Sequence, residues 1–508
     1  MRLGVDFGTT RTRVAAVLKG NYPLISFQAE AGDGADWYPS LIAARGDRLA
    51  FGLEAQAVLY EPGWEVLSSF KRLLSEAPPH AVWKVGEVEL PVIEWLTRFF
   101  GYLRQDLTRH SNLEVGRRER FEVMAGIPAN ANSNQRFLTL EALRQAGFHV
   151  IGMLNEPSAA GIEYAHRYRT MDLTGRREHV VVYDLGGGTF DVAVICMAGS
   201  QHEVVASEGI SRLGGDDLDA VLLELAQADP KLTGAERGVA QSRLLHLCRE
   251  AKESIHPNSR KIVVDFGQIQ PELGEAVVPV AQFYEKCAPL IHQTIRATEA
   301  AMQSGLGTAD GDNPALASVY LVGGSCELPI LARTLRDRFG RRVRKSPYPS
   351  AATAIGLAIA ADQESGYVLR ERFTRHFGVW REGESGQRVV FDPIFTKEST
   401  VPQPGQPPLI VRRRYHPVHN VGRFRFLECS ALSREGEPAG DMLSWNEVVF
   451  PLDPCVAQRS DLETLPVERT SGVESNLIEE VYQCDAAGVI EVTIANLTAG
   501  YSGTSRIR

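Results

Sequence analysis

Residues 181–191 read Val-Val-Tyr-Asp-Leu-Gly-Gly-Gly-Thr-Phe-Asp, the most informative segment of the chain. An apolar, strand-like run enters three glycines that lie between two aspartates, and a second apolar run follows at 192–195. We predict a β-hairpin whose turn binds an anion, because glycine lets a ligand approach the backbone N–H groups closely. A flexible hairpin is the competing interpretation, since Gly-Gly-Gly also occurs in plain turns.

A second turn of the same kind lies near the start of the chain. Residues 6–10 read Asp-Phe-Gly-Thr-Thr and separate two predicted strands. The two turns are about 180 residues apart, which suggests a duplicated fold that closes on one phosphate tail from both sides. The aspartates of the turns would hold a hydrated cation or orient a water molecule. The pair therefore favours the anion-binding interpretation over the flexible hairpin.

Composition narrows the class of protein. The chain has 508 residues, of which 44% are apolar, and a net charge of −9, which argues against a nucleic-acid surface. No run approaches the ~20 apolar residues of a membrane span, and an acid stands where a secretory signal is still apolar. The seven cysteines are scattered and lack CxxC spacing, which indicates reduced thiols. We expect a cytoplasmic protein with neither membrane nor nucleic-acid partners.

The spacing of apolar residues, together with capping residues and glycines, predicts the main helices. Helices are predicted over 90–107, 281–305 and 351–361, and another is predicted to start at Asn132 or Ser133 and to stop before Gly147. Two further glycine pairs stand where a ligand could be contacted. They are Gly214 and Gly215, ahead of an acidic helix start, and Gly323 and Gly324, which precede Ser325 at a strand-to-helix turn.

Two charged residues have ordinary interpretations from the residues alone. Lys71 would lie on the solvated face of a helix, as most lysines do. Glu156 comes at a strand end beside Pro157, and an acid in the first turn of a helix favours the helix dipole. Neither residue would be chosen as functional without the comparison that follows.

Several blocks of sequence, taken in order, resemble one family. Residues 1–362 resemble the ATPase domain of the DnaK-type heat-shock protein 70 chaperones, within the actin-like ATPase superfamily. Sugar kinases and actins share the two hairpins but not the whole series. The implied fold is an α/β actin-like two-lobed ATPase domain. The blocks are DFGTT (6–10), FKRLL (70–74), NEPSAA (155–160), DLGGGTFD (184–191), LGGDDLD (213–219), EKCAPL (285–290) and LVGGS (321–325).

The resemblance implies ATP or ADP with Mg²⁺ as ligands and an ATP hydrolase activity. It assigns Lys71, Glu156, Asp184 and Thr189 to hydrolysis. Asp6, Asp184 and Asp191 are assigned to the metal ions, with Asp191 near a site for a monovalent cation such as K⁺. The implied nucleotide contacts are Gly8, Thr9, Thr10, Gly186, Gly187, Gly188, Gly214, Gly215, Lys252, His256, Gly323, Gly324 and Ser325.

The departures from the family pattern lie on the nucleoside side. The family's acid and lysine of the ribose clamp correspond to Arg249 and Lys252, and its adenine-side serine corresponds to His256. An arginine that stacks on adenine corresponds to Glu327. The residues implied to contact the phosphates thus match the family pattern, while those implied to contact the base differ from it. The family arginine that contacts J-domain cochaperones corresponds to Gly152, which argues against a standard J-domain partner.

The rest of the chain reads as a linker over 363–376 and a β-rich, sandwich-like domain over 377–508. Short strands are predicted at 388–391, 409–415, 423–428 and 489–497. This region loosely resembles the family's peptide-binding domain, and no helical lid is expected. His416 and His419 have HxxH spacing, but a surface loop is favoured over a metal site because no third ligand is evident.

Two functions from different classes remain open. The first is an ATP-dependent, stress-response chaperone that binds and releases unfolded or extended polypeptide, with a nucleotide-exchange factor as a possible partner. The second is a nucleotide-sensing interaction module that hydrolyses weakly or not at all and has one dedicated protein partner. A sugar kinase and an actin-like filament are disfavoured, because neither explains the C-terminal strands.

Overall fold

The computed structural model describes residues 1–28, 34–77, 81–116, 118–168, 177–227, 241–383, 388–403, 405–445 and 447–507. Its contacts divide the chain into two compact units. The first unit comprises residues 1–131 and 138–369, and the second comprises residues 132–137 and 370–508.

The elements are as follows in chain order. Strands up to residue 370 are β1 (Arg2–Asp6), β2 (Arg11–Ala16), β3 (Tyr38–Pro39), β4 (Leu41–Arg45), β5 (Arg48–Phe51), β6 (Glu65–Ser68), β7 (Val82–Val85), β8 (Val88–Pro91), β9 (Glu122–Ile127), β10 (His149–Asn155), β11 (Glu178–Leu185), β12 (Phe190–Ala198), β13 (Gln201–Ile210), β14 (Lys261–Asp265), β15 (Glu275–Pro279), β16 (Leu316–Val322), β17 (Val343–Lys345) and β18 (Val368–Arg370). The α-helices are α1 (Leu53–Ala57), α2 (Val92–Arg109), α3 (Ser133–Gln145), α4 (Glu156–Tyr168), α5 (Gly215–Gln227), α6 (Gln241–Glu253), α7 (Val280–Leu306), α8 (Pro329–Phe339) and α9 (Ala352–Ala361). The later strands are β19 (His376–Gly383), β20 (Arg388–Phe395), β21 (Leu409–Tyr415), β22 (Val421–Phe424), β23 (Phe426–Leu432), β24 (Pro438–Ser444), β25 (Val448–Pro451), β26 (Ile478–Cys484), β27 (Ile490–Asn496) and β28 (Tyr501–Arg506).

Two sheets of the first unit repeat one design. In the order β10-β9-β1-β2-β3, the hairpin β1–β2 is antiparallel and β1 also pairs in parallel with β9. In the order β17-β16-β11-β12-β13-β18, the hairpin β11–β12 is antiparallel and β11 pairs in parallel with β16. Each hairpin therefore points its turn toward the carboxyl end of a parallel neighbour. This is the α/β actin-like architecture, and the duplication expected from the two turns is confirmed.

Helices α4 and α9 cross between these two sheets. Helix α9 packs on β1, β2 and β9, while α4 packs on β11 and β12. The crossing is close because of a glycine: a Cβ added at Gly356 of α9 would lie 1.8 Å from the carbonyl oxygen of Ala159 in α4. The packing of α9 on β1 is equally close, since a Cβ added at Gly4 would lie 2.3 Å from the amide nitrogen of Ala358. Because glycine has no side chain, the helices and strands that carry the two hairpins can pack close together.

The helix predictions hold with small shifts of boundary. Predicted helices over 90–107, 281–305 and 351–361 are α2, α7 and α9. Asn132 caps α3, since its Oδ1 accepts a hydrogen bond from the amide of Gln135 at 2.9 Å. Gly147 follows that helix with a φ of 89°, the left-handed conformation of a glycine C-cap.

The second unit is β-rich, as predicted. Its sheets have the orders β20-β19-β23-β24, β21-β26-β27-β28 and β22-β25 around one apolar core that includes Phe377, Phe426 and Tyr482. The single strand predicted over 423–428 is wrong. The chain instead changes sheets at Arg425, because β22 pairs with β25 while β23 pairs with β19 and β24.

Three further features of the sequence can be located in the structure. All seven cysteines are free thiols, as expected from their spacing. In the described residues, no helix is both long and apolar enough to cross a membrane. His416 bonds through Nδ1 to the carbonyl oxygen of Asn476 at 2.8 Å, and no His, Cys, Asp or Glu cluster of metal-binding size occurs among the residues that the structure describes.

The close crossing of α4 and α9 can be tested with two glycines. We expect Gly356→Ala to destabilise the protein by about 1–3 kcal/mol, because the new methyl group meets backbone that must shift. Gly101→Ala is the control, since nothing lies within 4 Å of a Cβ at this position inside α2. It should raise stability by about 0.5–1 kcal/mol. Urea unfolding followed by circular dichroism measures both, and equal effects would contradict the account of the crossing.

Candidate nucleotide-binding site

The turns of the two hairpins meet each other. A Cβ added at Gly187 would lie 2.9 Å from Cγ2 of Thr10, and one added at Gly188 would lie 2.6 Å from Oγ1 of Thr9. Gly8 is similarly confined, because a Cβ there would lie 2.1 Å from the carbonyl oxygen of Arg11. Only glycine permits this approach, so the sequence pattern and the geometry have the same cause.

The other two glycine pairs pack against the second turn. The amide of Asp216 donates to the carbonyl oxygen of Gly187 at 2.8 Å, which brings the start of α5 to the turn. Gly323 has a φ of 87° and approaches Leu185, and Ser325 Oγ donates to the carbonyl oxygen of Gly186 at 2.8 Å. Four separate glycine-rich segments thus surround one cleft.

Lys71 is buried, so its interpretation as a solvated helix face is wrong. It lies in a 3-10 helix, Phe70–Ser75, that follows Ser69 in a left-handed conformation with a φ of 55°. Its Nζ donates to Oε1 of Glu156 at 2.6 Å, and both side chains are about nine-tenths buried. The first residue of α4 therefore faces the cleft as an ion-pair partner.

Three aspartates surround this ion pair. Burial, followed by repulsion from Glu156, raises the pKa of Asp6 to about 7 and that of Asp191 also to about 7. The same causes hold the pKa of Asp184 well above its ordinary value. Burial alone would lower the pKa of the Lys71 ammonium group, but Glu156 and Asp6 raise it. Negative charge in this part of the cleft exceeds what one lysine can neutralise.

The nucleoside side is built differently. Asp219, fully buried in α5, is 3.1 Å from Nε of Arg249 and 2.6 Å from Nζ of Lys252. Arg249 also pairs with Asp216 at 2.9 Å, and Lys252 donates to the carbonyl oxygen of Gly215 at 2.8 Å. These cations are thus held by acids of α5, a long-range arrangement that no local pattern of residues indicates.

Most of the sequence-predicted residues line the cleft. Those that do are Asp6, Gly8, Thr9, Thr10, Lys71, Glu156, Asp184, Gly186, Gly187, Thr189, Gly215, Lys252, Gly323, Gly324 and Ser325. Gly188, Asp191 and Gly214 stand just behind the lining, in contact with residues that form it. His256 is exposed and outside the lining, and Glu327 pairs with Lys345 at 3.1 Å. The structure therefore does not bring His256 to the other predicted residues.

Sequence reasoning missed two ion pairs at or beside the cleft. Arg11, just after the first turn, lines the cleft and pairs with Glu253 of α6 at 2.6 Å, and its guanidinium stacks on Trp37. Arg72 pairs with Asp217 at 3.2 Å. These pairs join segments that are distant in the sequence, so no local pattern indicates them.

The residues present fit a nucleotide with a divalent cation. The buried, raised-pKa aspartates lack the positive charge that a cation would supply. The glycine turns present backbone at positions where side chains would block a phosphate. Among the described residues the carboxylates do not converge as a ready-made metal site, so a divalent ion would be held through water and phosphate oxygens.

Comparisons with known proteins agree with this class of site. Residues 114–373, just over half of the chain, match the family model described as "Hsp70 protein". The chain therefore belongs to the Hsp70 family. It is 29% identical over 374 residues to the chaperone protein HscA of Cronobacter sakazakii, and 30% identical to the HscA proteins of Escherichia fergusonii (376 residues) and Proteus mirabilis (379 residues). Each alignment covers 71% of this chain and 57% of the relative, so the chain spans little more than half the length of these relatives.

The buried charge at Asp191 makes stability depend on pH. Because the folded state binds this proton more tightly than the unfolded state, the stability that Asp191 contributes at low pH is lost as the pH rises from about 4 through about 7. In chelator and without nucleotide, Asp191→Asn should therefore be more stable than wild type by about 1–3 kcal/mol at pH near 8, and the gain should shrink toward pH 5. Thermal unfolding at both pH values measures this.

Asp337→Asn, at an exposed position of α8, is the matched control and should shift the melting temperature little at either pH. An Asp191→Asn protein that is no more stable than wild type at the higher pH would contradict the buried-charge account.

Proposed function

We propose that the protein is an ATP-dependent chaperone, which couples hydrolysis of ATP in the first unit to the binding and release of polypeptide by the β-rich region. The observation that carries the proposal is the pair of facing glycine turns with the buried Lys71–Glu156 ion pair beside them. The family membership supports it, and the relatives are named as chaperones. We assign residues 1–362 to the ATPase domain, 363–376 to the linker and 377–508 to the polypeptide-binding domain.

The bound nucleotide and its Mg²⁺ would supply the phosphoanhydride bond and a Lewis acid that polarises it. Backbone N–H groups of the turns at Gly8 and Gly187 would position the phosphates, with Thr9 and Thr10 as hydroxyl donors. Asp6 and Asp184 would hold the hydrated ion, and Asp191 would add charge for that ion or for a nearby K⁺.

Lys71 would stabilise the negative charge that develops on the transferred phosphoryl group, because a buried ammonium acts there without screening by water. Glu156, held by Lys71 at 2.6 Å, would orient the attacking water and accept its proton. Thr189 would hold that water from the second turn.

We expect release of the product to be accompanied by opening of the Arg11–Glu253 pair, which joins β2 to α6 beside the cleft. A nucleotide-exchange factor that pulls α6 away from β2 would serve this step. Gly152, in β10, offers no side chain for charge contacts, so a standard J-domain partner is not expected. A cytoplasmic location remains a prediction from the sequence.

ATP turnover by purified protein tests the catalytic assignment. We expect Lys71→Ala and Thr189→Ala each to lower steady-state turnover by roughly 100-fold or more, the usual cost of losing a transition-state charge contact or a positioned water. Lys84→Ala, at an exposed lysine of β7, is the control and should turn over like wild type.

Binding of ADP and circular dichroism are measured on the same samples, so that a folding defect is not mistaken for lost catalysis. Unchanged turnover in both variants would overturn the assignment. A wild-type protein that binds ATP but does not turn it over would instead favour the nucleotide-sensing module.

A further inference from the structure

A second cleft lies wholly within the β-rich unit and is far larger than the nucleotide cleft. Its volume is about 830 Å³, within the range of functional ligand sites. Strands β19, β20, β21 and β22 contribute to its walls, together with the segment 416–419. The cleft is therefore large enough to hold a ligand, and it lies in the proposed polypeptide-binding domain.

Edge strands border this cleft. In the described residues, β20 is the terminal strand of the sheet β20-β19-β23-β24, and β21 is the terminal strand of the sheet β21-β26-β27-β28. Each therefore has one row of backbone N–H and C=O groups without a strand partner. An extended peptide can pair with such an edge by adding a strand. The backbone at this place therefore favours an extended polypeptide as the occupant.

The floor of the cleft is a self-contained charge network. Arg381 of β19 makes a two-pronged contact with the buried Glu480 of β26 at 2.8 and 3.0 Å, and it also donates to Asp392 at 2.7 Å. Arg413 of β21 donates to the same Asp392 through two nitrogens, each at 3.0 Å. These groups satisfy one another, so a ligand would bind to the walls and rim rather than to the floor.

The walls expose apolar side chains. Val389, Val418 and Val467 line the cleft and are 50%, 44% and 42% exposed. Singly exposed valines are common, but three in one concave surface form an apolar patch that a partner can cover. An occupant should therefore carry apolar side chains.

The lining of the cleft is rich in guanidinium groups. Residues 370–508 contain more acidic than basic residues, 19 against 16, yet the cleft lining reverses this ratio. Its acids are Glu382, Asp392 and Glu447. Its arginines are Arg381, Arg413, Arg414, Arg423, Arg425 and Arg469.

Two of these arginines have guanidinium N–H donors that are available to a ligand. Arg414 is 60% exposed and bonds to Glu479 through Nε alone, which leaves both terminal nitrogens for a ligand. Arg425 is exposed, and within the described part of the chain its side chain makes no hydrogen bond or ion pair. Guanidinium groups match carboxylates in shape and charge.

We propose that this cleft binds extended polypeptide segments in which acidic residues flank apolar ones, with the apolar side chains on the three valines and the carboxylates on Arg414 and Arg425. The inference rests on the proposed function, since it names the class of polypeptide that the β-rich domain would hold. Negative flanks are thus preferred over neutral or positive ones.

Fluorescence anisotropy with three labelled peptides tests this. All share one apolar centre, and their flanks carry Asp and Glu, Ser and Gln, or Lys. On the full chain with ADP, we expect the acidic peptide to bind tightest and to weaken as salt rises. The double variant Arg414→Gln/Arg425→Gln should bind the acidic peptide about threefold to tenfold more weakly. It should bind the neutral peptide as wild type does.

Arg434→Gln/Arg459→Gln, at two arginines of the same unit outside the cleft, is the matched control and should leave all three affinities unchanged. Equal binding of acidic and neutral peptides would overturn the inference while leaving the chaperone function intact. Binding of no peptide would overturn the inference and the polypeptide-holding role together. An acidic preference in a protein that does not turn over ATP would support the inference and contradict the proposed ATPase.

Discussion

A single buried ammonium group, that of Lys71, faces four carboxylates: Asp6, Glu156, Asp184 and Asp191. The carboxylates come from the ends of β1 and β11 and from the starts of α4 and β12, so the imbalance of charge exists only because these elements meet at one place. Burying unpaired negative charge destabilises a fold, which is why the pKa values of the aspartates rise. The hairpins can hold this arrangement because α4 and α9 cross at glycine contacts and fix the distance between the sheets. A divalent cation would relieve the imbalance.

The phosphate side and the nucleoside side of the cleft differ in how far their charges are balanced. On the phosphate side the acids outnumber the cations, and the glycine turns leave space next to them. On the nucleoside side Asp219 is already satisfied by Arg249 and Lys252, whose charges are consequently directed into α5. A bound cation would therefore gain charge compensation from the first half and much less from the second. This contrast also appears in the β-rich unit, where Arg381 and Arg413 are satisfied by Asp392 and Glu480 while Arg414 bonds through Nε alone.

Local patterns predicted the elements well because helix caps and glycine turns act over a few residues. The Asn132 cap, the stop at Gly147 and both hairpin turns are of this kind. The strand predicted over 423–428 was wrong because the change of sheet at Arg425 depends on strands that are distant in the sequence. The Arg11–Glu253 pair joins residues 242 positions apart, and no local pattern encodes it. Lys71 could be chosen only through the family resemblance, since its burial results from packing against Phe7 and Glu156. His256 was also chosen through the resemblance, and it is exposed. A match of sequence position does not determine which residues surround a side chain in the fold.

The central claim is that the facing turns form a cation-dependent phosphate clamp that recognises phosphates more strongly than the nucleoside. Isothermal titration calorimetry with ADP, AMP and adenosine, each with Mg²⁺ and with chelator, tests it most directly. We predict that ADP binds measurably tighter with Mg²⁺ and that AMP, which lacks the β-phosphate, binds at least tenfold more weakly than ADP. Adenosine should bind only weakly by itself. Equal affinities for ADP and AMP, or ADP binding that ignores Mg²⁺, would contradict the account.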